Sequence, residues 1–194
     1  MGLLDALTGR HQVKGPAPDR LFAITTAYIT LQSEHQIVPA GTAAIVFQAL
    51  QTSEFEATIK DMEEVVRATG GESSTQVATQ DDSYGYRWMV LRNPTGAPSV
   101  EDLAVGINAV SSSIETAGHG ERLLCSVFAF ADARQNPLYF IYNYKRGFWY
   151  PFVPAGAKNE RATERELQLK AQMAGELPME PELERWFPLW GIPI

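Results

Sequence analysis

The segments of this 194-residue chain that have strand character come in neighbouring pairs, and single helical segments separate the pairs. Strands joined by short turns run antiparallel, because a parallel pair needs a long crossover connection. We therefore predict an α+β fold: a single domain whose largely antiparallel or mixed sheet is built from hairpins and covered by helices. The predicted strands cover residues 43–50, 74–80, 84–92, 123–130, 138–145 and 148–153.

The helices are predicted from apolar residues that recur at a spacing of three or four. Asp19 is the predicted N-cap of the first helix. Ser53 and Glu56 have the spacing of a capping box and open the second helix, and Ser99 opens the third. Residues 158–174 are rich in charge and form a fourth helical segment. The stripes of the first three contain Leu21, Ile24, Tyr28 and Leu31; Phe55, Ile59, Met62 and Val66; and Leu103, Ile107, Val110 and Ile114.

The composition is that of one globular domain with an acidic surface. Hydrophobic residues make up 45% of the chain and charged residues 20%, which suits a chain that buries a substantial core. We expect residues 1–18 to form a short N-terminal tail, and residues 19–194 to form the domain with a docked C-terminal extension. The formal net charge of -7 argues against a nucleic-acid partner, because such a surface repels phosphates. It also weakens direct contact with an anionic membrane.

The sequence favours a cytoplasmic protein, peripheral to the inner membrane face at most. Its single cysteine, Cys125, allows no internal disulfide. No run approaches the roughly 18–20 apolar residues that span a bilayer, and the opening MGLLDALTGR is too short and too interrupted for a secretory signal. Leu3, Leu4 and Leu7 lie on one side of a short helix there, which fits a mobile tail or a weak amphipathic element.

No pattern in the sequence dictates a catalytic centre. His11, His35 and His119 are not at metal-ligand spacing with Cys, Asp or Glu, so no metal site is predicted. The glycines form no phosphate-binding loop, and no cofactor is predicted. Cys125 follows His119 closely, as in a thiol–imidazole pair. Its apolar strand favours a buried structural cysteine instead.

A basic turn interrupts the most aromatic stretch, YNYKRGFWYPFVP at 142–154. Strand alternation sends Tyr139 to the face opposite the even-numbered core residues that precede the turn. We expect Phe148, Tyr150 and Phe152 to continue that core after the turn. Lys145-Arg146-Gly147 then forms a hairpin tip. The alternative is a recognition surface on which Tyr139, Arg146 and Trp149 meet an anionic or aromatic partner.

The C-terminal decapeptide RWFPLWGIPI is too apolar for a free tail. Trp186 and Trp190, with Phe187 and Leu189 between them, are expected to fold back onto the aromatic sheet of residues 138–153. This docking would leave Lys145 and Arg146 exposed at the rim of the sheet.

Five segments spread over the whole chain carry a resemblance: MGLLDALTGR, DSYGYRW, LLCSVFAF, YKRGFWYPFVP and RWFPLWGIP. In their order and spacing they resemble PspAB, the PspA-associated protein found chiefly in actinobacteria and some archaea. The resemblance implies an accessory protein of the phage-shock, envelope-stress response. It also implies a PspA-like or HtpX-like membrane-stress protein as the partner, and it supplies no catalytic residue.

Two hypotheses about function follow. The first is a non-enzymatic cytoplasmic adaptor that binds a protein at the inner membrane face, with a shallow aromatic patch and a basic rim. The second is a small-molecule-binding protein or a hydrolytic enzyme, whose deep polar pocket would draw on Tyr84, His119, Cys125 or Arg146. The candidate partner-binding residues of the first are Tyr139, Lys145, Arg146, Trp149, Trp186 and Trp190.

Overall fold

The computed structural model describes residues 18–69, 75–93, 99–156 and 159–194. The expected tail with Leu3, Leu4 and Leu7 therefore lies outside the described residues. The helices are α1 (Pro18–Phe22), α2 (Ile24–His35), α3 (Ser53–Thr69), α4 (Val100–Thr116) and α5 (Thr163–Met173), and short 3₁₀ turns cover Gly120–Arg122 and Leu183–Arg185. The strands are β1 (Val38–Gln48), β2 (Gln76–Asp81), β3 (Tyr86–Arg92), β4 (Leu123–Ala131), β5 (Pro137–Asn143) and β6 (Phe148–Phe152).

The six strands form one sheet in the order β2-β3-β1-β4-β5-β6, and every pair of neighbours is antiparallel. The two predicted hairpins, β2–β3 and β4–β5, lie on opposite sides of the central strand β1. The predicted α+β fold with a sheet built from hairpins is thus confirmed. The sheet is antiparallel throughout these strands rather than mixed.

Strand β1 is longer than the sequence predicts and begins at Val38 instead of residue 43. Its pairing with β4 shifts register between Pro39 and Ala43, where Gly41 has a φ of 71°. Proline, glycine and an irregular register break the period-two alternation by which a strand is recognised. The first half of β1 therefore carried no readable pattern.

Of the three predicted helix N-caps, Ser99 is found and Asp19 and Ser53 are not. Ser99 caps α4 as expected, and its hydroxyl accepts a hydrogen bond from the Asp102 N–H at 3.0 Å. In α3 the cap is Thr52 instead of Ser53, because the Thr52 Oγ1 accepts from the Phe55 N–H at 3.3 Å. Asp19 lies inside the first turn of α1, which begins at Pro18, so it is not the N-cap. A proline suits the first helical position, since its missing N–H needs no partner there.

The helices cover one face of the sheet and bury the larger apolar cluster, which we call the helix-side core. It contains the stripes of α2, α3 and α4 together with Phe47, Phe128, Phe140, Tyr142 and Trp149 of the sheet. The opposite face carries a second cluster, which we call the open-face cluster. It contains Val46, Trp88, Val90, Cys125, Tyr139, Tyr150 and Phe152, and residues of the chain end cover it.

The two faces of β6 are the reverse of the expectation. Trp149, and not its neighbours, continues the face of Tyr142, whereas Tyr150 and Phe152 belong to the open-face cluster. The cause is the register: Tyr142 pairs directly with Trp149 across the strands. Directly paired residues share a face, so an even-numbered residue of β5 faces the same way as an odd-numbered residue of β6.

Within the described residues, none of the helices combines the length and the apolar character needed to cross a bilayer.

Candidate functional site

The last nine residues, 186–194, form a segment that crosses the open face of the sheet, and we call it the C-terminal segment. Trp186 is 4% exposed and stacks on Tyr150 with ring centroids 6.3 Å apart. Trp190 lies edge-on to Phe152 at 5.1 Å. Near the end, the Arg92 guanidinium donates to the Pro193 carbonyl at 2.9 Å. The segment thus runs from β6 across to β3 and packs against aromatic side chains of the sheet.

Hydrogen bonds to the main chain hold the beginning of this segment. The Arg161 Nη1 donates to the Trp186 carbonyl at 2.7 Å, and the Tyr150 hydroxyl donates to the Phe187 carbonyl at 3.2 Å. Arg161 is itself fixed by Glu166, whose side chain is fully buried and 2.7 Å from the Arg161 Nη2. The segment is therefore a structural part of the domain.

The two basic residues of the β5–β6 turn have different surroundings. Arg146 is paired with Glu180 and Glu182, at 2.6 Å and 2.8 Å. Lys145 is exposed, and no ion-pair partner for its ammonium group lies in the part of the chain that the structure describes. Of the pair expected at the rim, Lys145 is exposed without such an ion pair in the described residues, whereas Arg146 is ion-paired and 28% exposed.

A cleft of about 440 Å³ lies between the C-terminal segment and the neighbouring ends of the strands. Its floor is apolar, and its walls are mostly aromatic. It is lined by Val46, Asp82, Tyr84, Tyr86, Trp88, Leu124, Cys125, Asn143, Lys145, Tyr150, Phe187, Pro188, Leu189 and Trp190. This volume falls in the range of sites that bind small molecules or anchor side chains of a partner.

Exposed aromatic side chains surround the mouth of the cleft. Tyr84 is 73% exposed, Phe187 57% and Tyr86 39%. They come from the β2–β3 turn, the start of β3 and the C-terminal segment, so the fold gathers them from distant parts of the sequence. Contiguous exposed apolar surface of this kind typically marks a binding site.

The acid of the cleft, Asp82, is engaged by its own hairpin. Its Oδ1 accepts from the N–H groups of Tyr84 and Tyr86, at 2.8 Å and 2.9 Å. Its Oδ2 accepts from the Trp88 indole N–H at 2.9 Å. The carboxylate therefore shapes the turn and orients the tryptophan of the cleft wall.

Cys125 lies on the floor of the cleft and is 8% exposed. Burial raises the pKa of its thiol to about 12, so the thiol stays protonated and weakly nucleophilic near neutrality. His119 packs edge-on against Phe55, 5.2 Å between ring centroids, and Phe55 belongs to the helix-side core on the other face of the sheet. The structure therefore does not build the thiol–imidazole pair that the sequence left open.

The sequence-predicted partner-binding residues fall into two groups. Lys145 and Trp190 line the cleft. Tyr139, Trp149 and Trp186 are 8%, 0% and 4% exposed. Burial raises the pKa of Tyr139, and the Trp149 indole N–H donates to the Arg20 carbonyl at 2.7 Å.

These contacts give the three buried aromatics, and the ion-paired Arg146, a structural role, and their binding role stays an untested prediction. Sequence reasoning did not name Tyr86, Asn143 or Phe187 as site residues. The alternation of Tyr84, Tyr86 and Trp88 along one face was the available signal.

A comparison with protein-family models matches the model PspAB, described as PspA associated protein B, to residues 1–194. The chain belongs to the PspAB family. The match covers the whole chain, so the resemblance seen in the sequence motifs is confirmed. The family name links its members to PspA phage-shock systems. No curated protein and no solved structure matches the chain.

Proposed function

We propose that this chain is a non-enzymatic adaptor of a phage-shock-like envelope-stress response. It binds a PspA-like protein on the cytoplasmic side of the inner membrane, through the aromatic surface around the cleft. The observation that carries the proposal is the convergence of Tyr84, Tyr86 and Phe187, all exposed, around one apolar cleft. An HtpX-like membrane protein is the alternative partner.

The chemistry of the surface supports recognition of a protein. Aromatic side chains supply large contact areas at a low cost in conformational entropy, and they dominate the binding energy of many interfaces. Lys145 adds one exposed cation at the edge of the patch, which would favour an acidic residue of the partner. The surrounding acidic surface would discourage nucleic acids.

The arrangement of titratable groups supports an adaptor over a hydrolytic enzyme. In the cleft, Asp82 is held by three N–H donors and Cys125 is kept as a thiol. His119 and Arg146, two further residues of the enzyme hypothesis, are engaged with Phe55 and with two glutamates, respectively.

The proposal is tested by measuring the binding of purified chain to a purified PspA-type protein from the same organism, by calorimetry. Tyr84→Ser combined with Phe187→Ser should weaken binding at least tenfold, because removal of a hot-spot aromatic commonly costs 2 kcal/mol or more. Ile29→Ser is the matched control, since Ile29 is 55% exposed and lies on α2, in the helix layer.

Equal loss with the control variant would place the interface elsewhere. The chain could instead fail to bind the PspA-type protein and bind an HtpX-type protein. If the double substitution abolished that binding, the partner would be the HtpX-type protein and the binding surface would be the one proposed here.

A further inference from the structure

The carboxylate and the amide oxygen of the cleft already accept hydrogen bonds from neighbouring residues. Asp82 accepts three hydrogen bonds from its own hairpin. Asn143 Oδ1 accepts from the Lys145 N–H at 3.0 Å, which fixes the amide orientation and leaves Nδ2 as the free group. The Tyr150 hydroxyl donates its proton to the Phe187 carbonyl. Among the described lining residues, the groups that remain able to donate to a ligand are the Lys145 ammonium group, the Asn143 Nδ2 and the hydroxyls of Tyr84 and Tyr86.

The floor beneath these donors is apolar and closed. Val46 is 3% exposed, Trp88 4% and Cys125 8%, and Leu124 and Leu189 complete the lining. A ligand body placed here removes apolar surface from water on several sides, which is the main driving force for binding in such sites.

We propose that the cleft binds a small amphipathic carboxylate, with its apolar chain or ring on the floor and its carboxylate on Lys145 and Asn143. This site goes beyond the adaptor function and does not depend on it. A neutral ligand would leave the lysine and amide donors unpaired, which is unfavourable in a partly desolvated site. A cationic ligand would meet the Lys145 charge, with the Asp82 oxygens already engaged.

A polyanion fits the cleft poorly. Of the described residues that line it, Lys145 is the single cation and Asp82 is the single acid. One carboxylate matches one lysine, and the volume of about 440 Å³ suits a molecule of small-ligand size. The site is accordingly assigned to a monoanion with a substantial apolar part.

The test uses laurate below its micelle-forming concentration, titrated into the full chain and followed by calorimetry and tryptophan fluorescence. Trp88 and Trp190 line the cleft, so their emission should change on binding. We expect one laurate per chain and weaker binding of dodecanol. A charge-assisted hydrogen bond is worth enough to expect roughly a tenfold loss with Lys145→Met. Lys145→Arg should retain binding.

Two matched variants guard against indirect effects. Lys60→Met removes an exposed lysine of α3, on the helix layer, and should leave laurate binding unchanged. Leu124→Trp should fill the cleft and abolish binding while a cooperative melting transition persists. Leu124 is half-buried, so a larger side chain there can be accommodated toward solvent.

Three results would overturn the proposal: no binding of laurate, equal affinity for laurate and dodecanol, or an equal loss with Lys60→Met. A fourth concerns membranes. Sedimentation with phosphatidylglycerol vesicles that depends on Lys145, without binding of monomeric laurate, would assign the lysine to a membrane surface. If the unmodified chain binds laurate but does not bind the PspA-type protein, the proposed adaptor function is wrong and the carboxylate site stands.

Discussion

Arg146 and Glu180 form a bidentate ion pair that ties the β5–β6 turn to the chain leading into the C-terminal segment. The Arg146 Nε lies 2.6 Å from Oε2 and Nη2 lies 3.0 Å from Oε1. Glu180 is 1% exposed, and the main chain at Glu180 and just before it is bonded to β6. The Pro178 carbonyl accepts from the Trp149 N–H, and the Glu180 N–H donates to the Trp149 carbonyl. The basic turn is thus an anchor as well as a hairpin tip.

Replacing Arg146 with Ala should therefore lower the melting temperature by several degrees. The substitution leaves the Glu180 carboxylate buried without its cation, which is strongly unfavourable. Lys145→Ala should change the melting temperature by no more than about one degree, because an exposed side chain without a partner contributes little. The sequence alone predicted that both residues are exposed at the rim of the sheet. Thermal unfolding followed by circular dichroism compares the two, and an equal effect of both would contradict the anchoring role.

Adjacent aromatics in the C-terminal segment should differ sharply in their contribution to stability. Trp186→Ala should reduce the free energy of unfolding by about 3 kcal/mol, since it removes a buried side chain stacked on Tyr150. Phe187→Ala should reduce it by less than about 0.5 kcal/mol, because Phe187 is 57% exposed. Urea denaturation measures both. A large effect of Phe187→Ala would mean that its side chain packs more tightly than the structure shows.

The order of strands and helices was predictable because each element carries its own periodicity. Tyr142 and Phe140 alternate with Ile141 as a two-sided strand should, and the stripe of Phe55 and Ile59 repeats at helical spacing. The burial of Trp186 was also predictable, because a large apolar side chain is unfavourable in water.

The faces of β6 and the partner of Arg146 were not predictable, for a physical reason. The alternation of side chains along a strand determines which residues of that strand share a face. Only the pairing register of β5 with β6 determines that Tyr142 and Trp149 lie on the same face. The pairing of Arg146 with Glu180 joins residues 34 positions apart, and nothing local selects that glutamate among the 23 acidic residues. The cleft is likewise assembled from distant segments, so the sequence named only some of its members.

The β2–β3 and β4–β5 turns have the same hydrogen-bonding pattern but differ in the residue that has a positive φ. Asp82 and Asp132 each accept two N–H bonds through Oδ1, and the position three residues later is Gly85 at a φ of 83° or Gln135 at 63°. Left-handed conformation costs a residue with a side chain about 1 kcal/mol. Gln135→Gly should therefore stabilise the protein by about 0.5 kcal/mol.

The reverse change gives the matched control for this turn. Gly85→Ala should destabilise by about 1 kcal/mol, and a Cβ there would meet no atom within 4 Å, so the effect is conformational rather than steric. Denaturant midpoints of the two variants should move in opposite directions. If both midpoints shift in the same direction, side-chain contacts and not backbone strain determine the stability of these turns.

Neighbouring tyrosines of the helix-side core should respond oppositely to loss of the hydroxyl. The Tyr142 hydroxyl is buried without a hydrogen-bond partner in the described part of the chain, whereas the Tyr144 hydroxyl bonds Ser126 Oγ at 2.8 Å. Tyr142→Phe should raise the free energy of unfolding by about 1 kcal/mol, and Tyr144→Phe should lower it by about the same amount. Urea denaturation of the two variants checks this, and a loss with Tyr142→Phe would indicate that a water satisfies that hydroxyl.

Alkaline pH should weaken the fold, and buried acidic groups give the window. Burial raises the pKa of Cys125 to about 12 and that of Tyr142 to about 12, while in the unfolded chain a cysteine titrates near 9 and a tyrosine near 10. Above pH 9 the unfolded state therefore binds fewer protons than the folded state, so stability is full below pH 9 and falls as pH rises toward 12. Cys125 should begin the decline near pH 9, and the buried tyrosines Tyr139, Tyr142, Tyr144 and Tyr150, whose pKa values burial also raises, should add to it toward pH 10.

The variant Cys125→Ala isolates that component. In the unmodified chain, the free energy of unfolding from urea titrations should fall between pH 9 and 10 more steeply than in the variant, and the difference in slope should approach 1.4 kcal/mol per pH unit. The alanine variant should start lower, because it leaves a small gap on the cleft floor, but its curve should fall less steeply over the same interval, since only the buried tyrosines still contribute. A thiol probe should likewise react slowly with the folded chain at neutral pH. Parallel curves for the two proteins, or rapid labelling, would mean that the Cys125 thiol reaches solvent in the native state.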